Sequence, residues 1–233
     1  MAGAGGPYGT ALRRLHLAIA CFIVALAITG FMIYFRKPLG LQALKLTLVW
    51  THASIAYAFL FVLAARVYFG VAGGEANRFR HVLARADDIK RLFAASASGR
   101  RGLKFAGRSP LSRTLATIIY ATIAANAATG LVRAGTDLYL PPLGPFVRAY
   151  VAADGVDPAV LRPAARVGVD TERHGFISRA KIPFGKAHIY GAFVIAAAAL
   201  IHAAGVVTTE WSAPNDRKAR GRARLMLFGP RRM

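Results

Sequence analysis

The chain has 233 residues, of which 55% are hydrophobic and 18% are charged. A soluble domain carries about 25% charged residues, and here the apolar residues form long runs, so the composition indicates a membrane protein. A net charge of +21 would suggest nucleic acid in a soluble protein, but the arginines cluster at the ends of apolar runs, so no nucleic-acid partner is expected.

Four apolar segments are long enough to cross about 30 Å of hydrocarbon at about 1.5 Å per residue. They comprise residues 12–35, 46–70, 111–132 and 184–208. Within the first segment, the stretch 15–35 follows Arg13 and Arg14 as a secretory signal would, but its length of about 21 residues and the lack of a clean cleavage site indicate a retained span. The last two are rich in alanine and glycine, which allows close helix packing and leaves room for a bulky group. The predicted fold is an all-α integral membrane four-helix bundle.

The positions of lysine and arginine orient these spans. Cations are concentrated at the start of the chain, in residues 71–110 and in the tail after Trp211. With four spans these three regions share one side, so both termini are predicted to be cytoplasmic. Residues 133–183 then form a long extracytoplasmic loop, which is predicted to be a small folded cap or docking surface. The chain is predicted to cross the membrane several times.

Four of the six histidines lie in the predicted spans, namely His16, His52, His188 and His202. An ionisable side chain at membrane depth is costly and usually functional. The predicted orientation places His16 and His202 at an inner level and His52 and His188 at an outer level. His188 and His202 are 14 residues apart, which places them about 21 Å apart along one helix and about 40° apart around it. Facing imidazoles at two levels are the geometry that bis-histidine haem ligation requires, so two b-type haems are predicted.

Other interpretations of these histidines remain open. They could satisfy one another as polar side chains in a bundle core. They could form a zinc or copper site, although such a site needs three or four ligands together. A proton relay usually recruits Asp or Glu within the spans, and here Glu210 lies only at a helix end. The single cysteine, Cys21, and the lack of CxxC or CxxCH motifs exclude an internal disulfide and covalent c-type haem.

Basic residues near the two levels are candidate partners for haem propionates. Arg66 lies 14 residues after His52, on nearly the same helix face and at the depth of the inner pair. The alternative for Arg66 is an arginine that snorkels to the membrane interface. The other candidates are Arg13 and Arg14 for the inner haem and Arg36, Lys37 and Lys186 for the outer haem.

Two glycines and two further histidines complete the candidate set. Gly30 and Gly130 either make room for a porphyrin edge or serve ordinary helix packing. His81 and His174 lie in predicted loops and are expected to be surface residues.

Three stretches, RRLHLAIACFIVALAITG, THASIAYAFLFVLAARVYF and KAHIYGAFVIAAAALIHAAG, resemble the bacterial di-haem cytochrome b superfamily. That group includes bacterial cytochrome b-561 and the membrane subunits of respiratory formate dehydrogenases and nickel–iron hydrogenases. The basic tail GRARLMLFGPRR is also similar, whereas residues 133–183 are not covered. The resemblance implies two haem b groups with the ligand pairs His16–His202 and His52–His188, the same pairs that depth predicts.

The resemblance also implies a quinone near the cytoplasmic haem, where Gly107, Arg108 and Ser109 occupy the corresponding place. Ala56 stands where the family often has glycine, which slightly tightens the space near the outer haem. The predicted function is electron transfer between the quinone pool and a partner, either an extracytoplasmic redox protein or a dehydrogenase or hydrogenase subunit. The alternatives are a stand-alone quinone-reactive oxidoreductase, for example one acting on superoxide, and a haem-free scaffold or transporter.

Overall fold

The computed structural model describes residues 10–74, 78–97 and 110–211, and their side chains except those of 95–97 and 209–211. These residues form eight α-helices and no β-strand. The helices are α1 (Thr10–Tyr34), α2 (Lys45–Val71), α3 (Phe79–Val82), α4 (Ala86–Ala97), α5 (Pro110–Leu138), α6 (Gly144–Val151), α7 (Thr171–Ala180) and α8 (Ile182–Trp211). The predicted all-α class is confirmed.

Helices α1, α2, α5 and α8 are long and apolar enough to cross a membrane, which confirms the four predicted spans. Their large apolar side chains are exposed rather than turned into a core: Phe61 is 78% exposed and Leu200 is 71% exposed. A helix that is apolar on all sides suits a lipid solvent. Lipid also explains the helical backbone, because hydrocarbon offers no partner for an unpaired N–H or C=O group.

Helix α5 continues to Leu138, beyond the predicted end of the third span at residue 132. The predicted span ends just before the charged residue Arg133. In the structure Arg133 forms an ion pair of 2.5 Å with Asp137 on the same helix, and Lys181 binds Asp137 at 2.6 Å. The charges are thus paired and the helix continues.

The chain divides into two compact units, and each long helix contributes one part to each of them. The first unit comprises Met1–Ile23, Phe59–Ala121 and Ile195–Met233; the second comprises Val24–Ala58 and Thr122–Val194.

In the first unit, the segment that carries α3 and α4 is bound to α5. Arg113 on α5 donates from Nε to the carbonyl of Leu83 at 3.0 Å and forms an ion pair of 3.3 Å with Asp88. The backbone N–H of Ala84 donates to the hydroxyl of Thr117 on α5 at 2.8 Å. These contacts attach the segment that carries α3 and α4 to α5.

In the second unit, residues 139–181 form a folded segment with a small apolar core. Val151, Ala152 and Leu161 are its buried members. Asp170 begins α7 as an N-cap, because its carboxylate accepts from the backbone N–H of Arg173 at 2.8 Å. The Arg173 guanidinium also donates to the Ala152 carbonyl at 3.1 Å, which fastens α7 to this core.

Candidate functional site

His16 on α1 and His202 on α8 face each other within the first unit. Their ring centroids are 6.3 Å apart and their planes are inclined at 55°. No hydrogen bond joins the two rings, and the buried Nδ1 of His16 has no hydrogen-bond partner among the described residues. A buried polar atom without a partner is costly. His16 and His202 therefore do not satisfy each other's hydrogen-bonding groups.

His52 on α2 and His188 on α8 face each other within the second unit. Their ring centroids are 6.1 Å apart, and their planes are nearly perpendicular at 87°. These two rings are not hydrogen-bonded to each other either. The structure thus brings together the same pairs that were predicted from depth.

Both centroid spacings suit two imidazoles that bind one metal ion from opposite sides. With metal–nitrogen bonds of about 2.0 to 2.1 Å, such rings have centroids about 6 Å apart. Two hydrogen-bonded imidazoles, with nitrogens about 2.9 Å apart, would have centroids about 5 Å apart. Imidazole is a common axial ligand of haem iron. The described residues contain no cluster of three His, Cys, Asp or Glu side chains of the kind that zinc requires.

The ring of His52 is held by a Thr-Gly dipeptide on α1. The Thr29 hydroxyl lies 2.9 Å from His52 Nδ1 and also 2.9 Å from the carbonyl of Ala25, one turn earlier on its own helix. A β-carbon added to Gly30 would lie 3.5 Å from Cε1 of the same ring. Gly30 therefore lies in ordinary contact distance of the His52 ring, and its contact with a porphyrin edge stays a prediction.

The ring of His188 is held in a similar way by α5. Its Nδ1 lies 3.2 Å from the backbone carbonyl of Asn126 and 3.3 Å from the hydroxyl of Thr129. A β-carbon on Gly130 would lie 3.2 Å from Cε1 of the ring. With its amide oriented to satisfy its neighbours, Asn126 also donates to the His188 carbonyl and accepts from the Ala192 N–H, both at 3.3 Å.

Gly191 on α8 permits this approach of Asn126. A β-carbon at residue 191 would overlap the end of the Asn126 amide. Glycine at this position thus lets the amide reach the backbone of α8 beside His188.

Arg66 is buried in the first unit, with 2% of its surface exposed, so it does not snorkel to an interface. Its Nε donates to the hydroxyl of Tyr120 at 2.9 Å. The guanidinium carbon lies 4.5 Å from the ring centroid of Phe79 and 5.3 Å from that of Tyr120. Two aromatic rings offset part of the cost of burying the cation. A contact between Arg66 and a haem propionate stays a prediction.

Two of the other predicted cations make local contacts with described residues. Arg13 donates to the Thr10 hydroxyl at 3.2 Å, and Arg36 donates to the Ile33 carbonyl at 2.9 Å. The exposed candidates are Arg14, Lys37 and Lys186.

The remaining sequence candidates lie away from the histidine pairs or outside the described residues. His81 is exposed, and His174 is half-buried beside Arg166 and Ser178. The predicted quinone residues Gly107, Arg108 and Ser109 lie outside the described residues.

The sequence alone did not identify the residues that position the rings of His52 and His188, namely Thr29, Thr129, Asn126 and Gly191. One signal was available. Thr-Gly occurs twice in the chain, at 29–30 and 129–130, each time in an apolar span. A repeated dipeptide in two spans is a weak signal, and it becomes informative only when both copies are seen beside a histidine.

Four apolar helices that present two facing pairs of imidazoles define a membrane protein of the cytochrome class. The comparison of sequences gives the family: residues 7–217 match prokaryotic cytochrome b561, and the chain belongs to that family. Searches of curated proteins and of solved structures gave no match. The protein is therefore a multi-pass bacterial membrane protein that binds haem b and transfers electrons.

Proposed function

We propose that the chain binds two haem b groups, one between His16 and His202 and the other between His52 and His188. The observation that carries this proposal is the paired geometry: two sets of imidazoles, 6.3 and 6.1 Å apart between centroids, with no hydrogen bond within either set. Bound haem supplies one-electron chemistry between ferric and ferrous iron. The protein itself holds the ligand histidines, excludes water from each site and places charged side chains near it.

We further propose that electrons pass across the bacterial inner membrane between a quinone and a partner redox protein. The positive residues at the start of the chain, in residues 71–110 and in the tail support a cytoplasmic location for these regions. Gly107, Arg108 and Ser109 are the proposed quinone contacts, on the basis of the family resemblance.

The folded segment 139–181 is the proposed docking surface for the partner. It has its own core, and it exposes Phe146 and Val167 by 74% and 88% respectively. An extracytoplasmic redox protein or a dehydrogenase or hydrogenase subunit is the proposed partner, and the long segment favours this role over stand-alone activity.

Haem stoichiometry tests the two-haem proposal. We expect two haems per chain from a pyridine haemochrome assay of the purified protein, and one after either His188→Ala or His202→Ala. The two variants should lose different components of the reduced-minus-oxidised α-band, because each removes a ligand from a different pair. His81→Ala is the matched control, because His81 is exposed and belongs to neither pair.

Loss of neither haem from His188→Ala would contradict the pairing of this residue with His52. A colourless wild-type protein after expression with ample haem would contradict the proposed function as a whole. Copurification of the native complex tests the partner: a redox subunit retained on the wild-type protein and lost after replacement of Phe146 and Val167 by serine would support docking on segment 139–181.

A further inference from the structure

We propose that Thr29 and Thr129 are positioning residues that hold Nδ1–H of His52 and His188, and that their hydroxyls lower the reduction potential of the haem bound in the second unit. The inference rests on the proposed function, because it needs a haem between these two histidines. Neither threonine touches the iron in this proposal, and both act through the ligand ring.

The tautomer of His188 follows from the chemistry of its neighbour. Nδ1 of His188 lies 3.2 Å from the backbone carbonyl of Asn126, and a carbonyl can only accept a hydrogen bond. Nδ1 must therefore carry the hydrogen. In a neutral imidazole the other nitrogen, Nε2, then has the free lone pair that a metal needs. The Thr129 hydroxyl, 3.3 Å from the same Nδ1, provides a second acceptor.

The tautomer of His52 follows from the single hydrogen of a hydroxyl group. Thr29 lies 2.9 Å from the carbonyl of Ala25, which can only accept, so the hydroxyl hydrogen is directed to that carbonyl. The hydroxyl oxygen can then accept from Nδ1–H of His52, 2.9 Å away. Thr129 has the same arrangement, since its hydroxyl donates to the Ala125 carbonyl at 2.9 Å.

The glycine after each threonine lies against the same ring. A β-carbon built on Gly30 would lie 3.5 Å from Cε1 of His52, in ordinary contact, and one built on Gly130 would lie 3.2 Å from Cε1 of His188. A side chain at residue 130 would therefore press on the His188 ring, whereas residue 30 has room for a β-carbon. The two Thr-Gly dipeptides therefore play equivalent positioning roles: the one on α1 contacts His52, and the one on α5 contacts His188.

These hydrogen bonds affect the potential as well as the position of the ligand. An acceptor on Nδ1–H makes the imidazole more basic at Nε2. A more basic ligand stabilises ferric iron more than ferrous iron, so the potential falls. Thr29 and Thr129 both lie in the second unit, so the same substitutions should leave the first-unit haem unchanged. In the first unit, His16 has no partner at Nδ1 among the described residues.

The experiment is a potentiometric titration of purified protein carrying Thr29→Val or Thr129→Val. Valine keeps the shape and removes the hydroxyl. For Thr29→Val we expect the ferric-to-ferrous ratio of the second-unit haem at fixed ambient potential to fall by about fivefold, the usual effect of one hydrogen bond. At about 59 mV per tenfold change for one electron, this is an upward shift of about 40 mV.

The shift in Thr129→Val should be smaller, because His188 keeps the Asn126 carbonyl as an acceptor. The second-unit haem is identified as the component that disappears in His188→Ala. Thr29→Ser and Thr129→Ser should restore the wild-type potential. Thr136→Val is the matched control, because Thr136 on α5 donates to the Val132 carbonyl at 3.0 Å and contacts neither pair.

Two haems with an unchanged second-unit potential in both valine variants would overturn the inference and leave the proposed function intact. Loss of the second-unit haem in both the valine and serine variants would also overturn it, because the residues would then act through packing. Loss of that haem in the valine variants alone, with recovery in serine, would support a positioning hydroxyl. Wild-type protein without haem would instead refute the proposed function.

Discussion

The two histidine pairs share one ligand type but differ in their surroundings. In the second unit both rings have a hydrogen-bond partner at Nδ1, from Thr29 on one side and from Asn126 and Thr129 on the other. In the first unit His16 has none among the described residues. The difference teaches that two chemically equal pairs of histidines can be placed in different surroundings by the residues that contact the outer nitrogen of each ring.

The two units also differ in the expected potentials of their haems. Arg66 lies buried in the first unit, and burial strengthens the effect of a charge on its neighbours. The acceptors at Nδ1 make the proposed ligands of the second unit more basic, and a basic ligand favours ferric iron. We therefore expect the first-unit haem to have the higher potential.

The largest expected effect is from Arg66→Ala. It removes a charge-assisted hydrogen bond to Tyr120 and the stacking on Phe79, and should lower the free energy of unfolding by about 3 kcal/mol. It should also lower the potential of the first-unit haem alone.

Detergent-solubilised protein can be unfolded thermally while the Soret band is followed. Arg66→Lys keeps the charge but lacks the planar group and should show an intermediate loss of stability. Wild-type stability in Arg66→Ala would refute this role.

Gly191→Ala should have the next largest effect, confined to the second unit. The new β-carbon would overlap the end of the Asn126 amide, so the amide must leave the α8 backbone and lose its hydrogen bonds there, at a cost of about 2 kcal/mol. Thermal unfolding and the α-band component of the second-unit haem are the measurements. Gly205→Ala on the same helix is the control, because its β-carbon would meet no heavy atom of the described residues within 4 Å. Equal stability of the two variants would disprove the packing argument.

The smallest effect distinguishes Gly130→Ala from Gly30→Ala. Alanine gains helix propensity of about 1 kcal/mol at either position, so the difference between the variants isolates the contact with the ring. The built β-carbon is tight at residue 130, at 3.2 Å, and in ordinary contact at residue 30, at 3.5 Å. Gly130→Ala should be the less stable by about 1 kcal/mol. A lower midpoint of thermal unfolding for Gly30→Ala than for Gly130→Ala would contradict this prediction.

The four spans and the pairs of histidines could be predicted because the signals are local. Long apolar runs fix the spans, and a histidine in such a run is rare enough to single out. The spacing of His188 and His202 then follows from helix geometry alone.

The residues that hold the rings could not be predicted in the same way. A threonine in a helix usually donates to its own backbone, as Thr29 and Thr129 both do, so nothing local reveals a second partner on another helix. The extension of α5 depends on Lys181, which is distant in sequence from Asp137. Arg66 likewise obtains its partners from α3 and α5.

Asp137 lies just before the folded segment 139–181, and it binds Arg133 on its own helix as well as Lys181, the last residue of the segment. The ends of residues 139–181 are therefore tied to one carboxylate. We expect this closure to make the segment a replaceable module. Insertions or exchanges within it can then change the recognised protein during evolution, or in an engineered chimera, without altering the helices that carry the ligands.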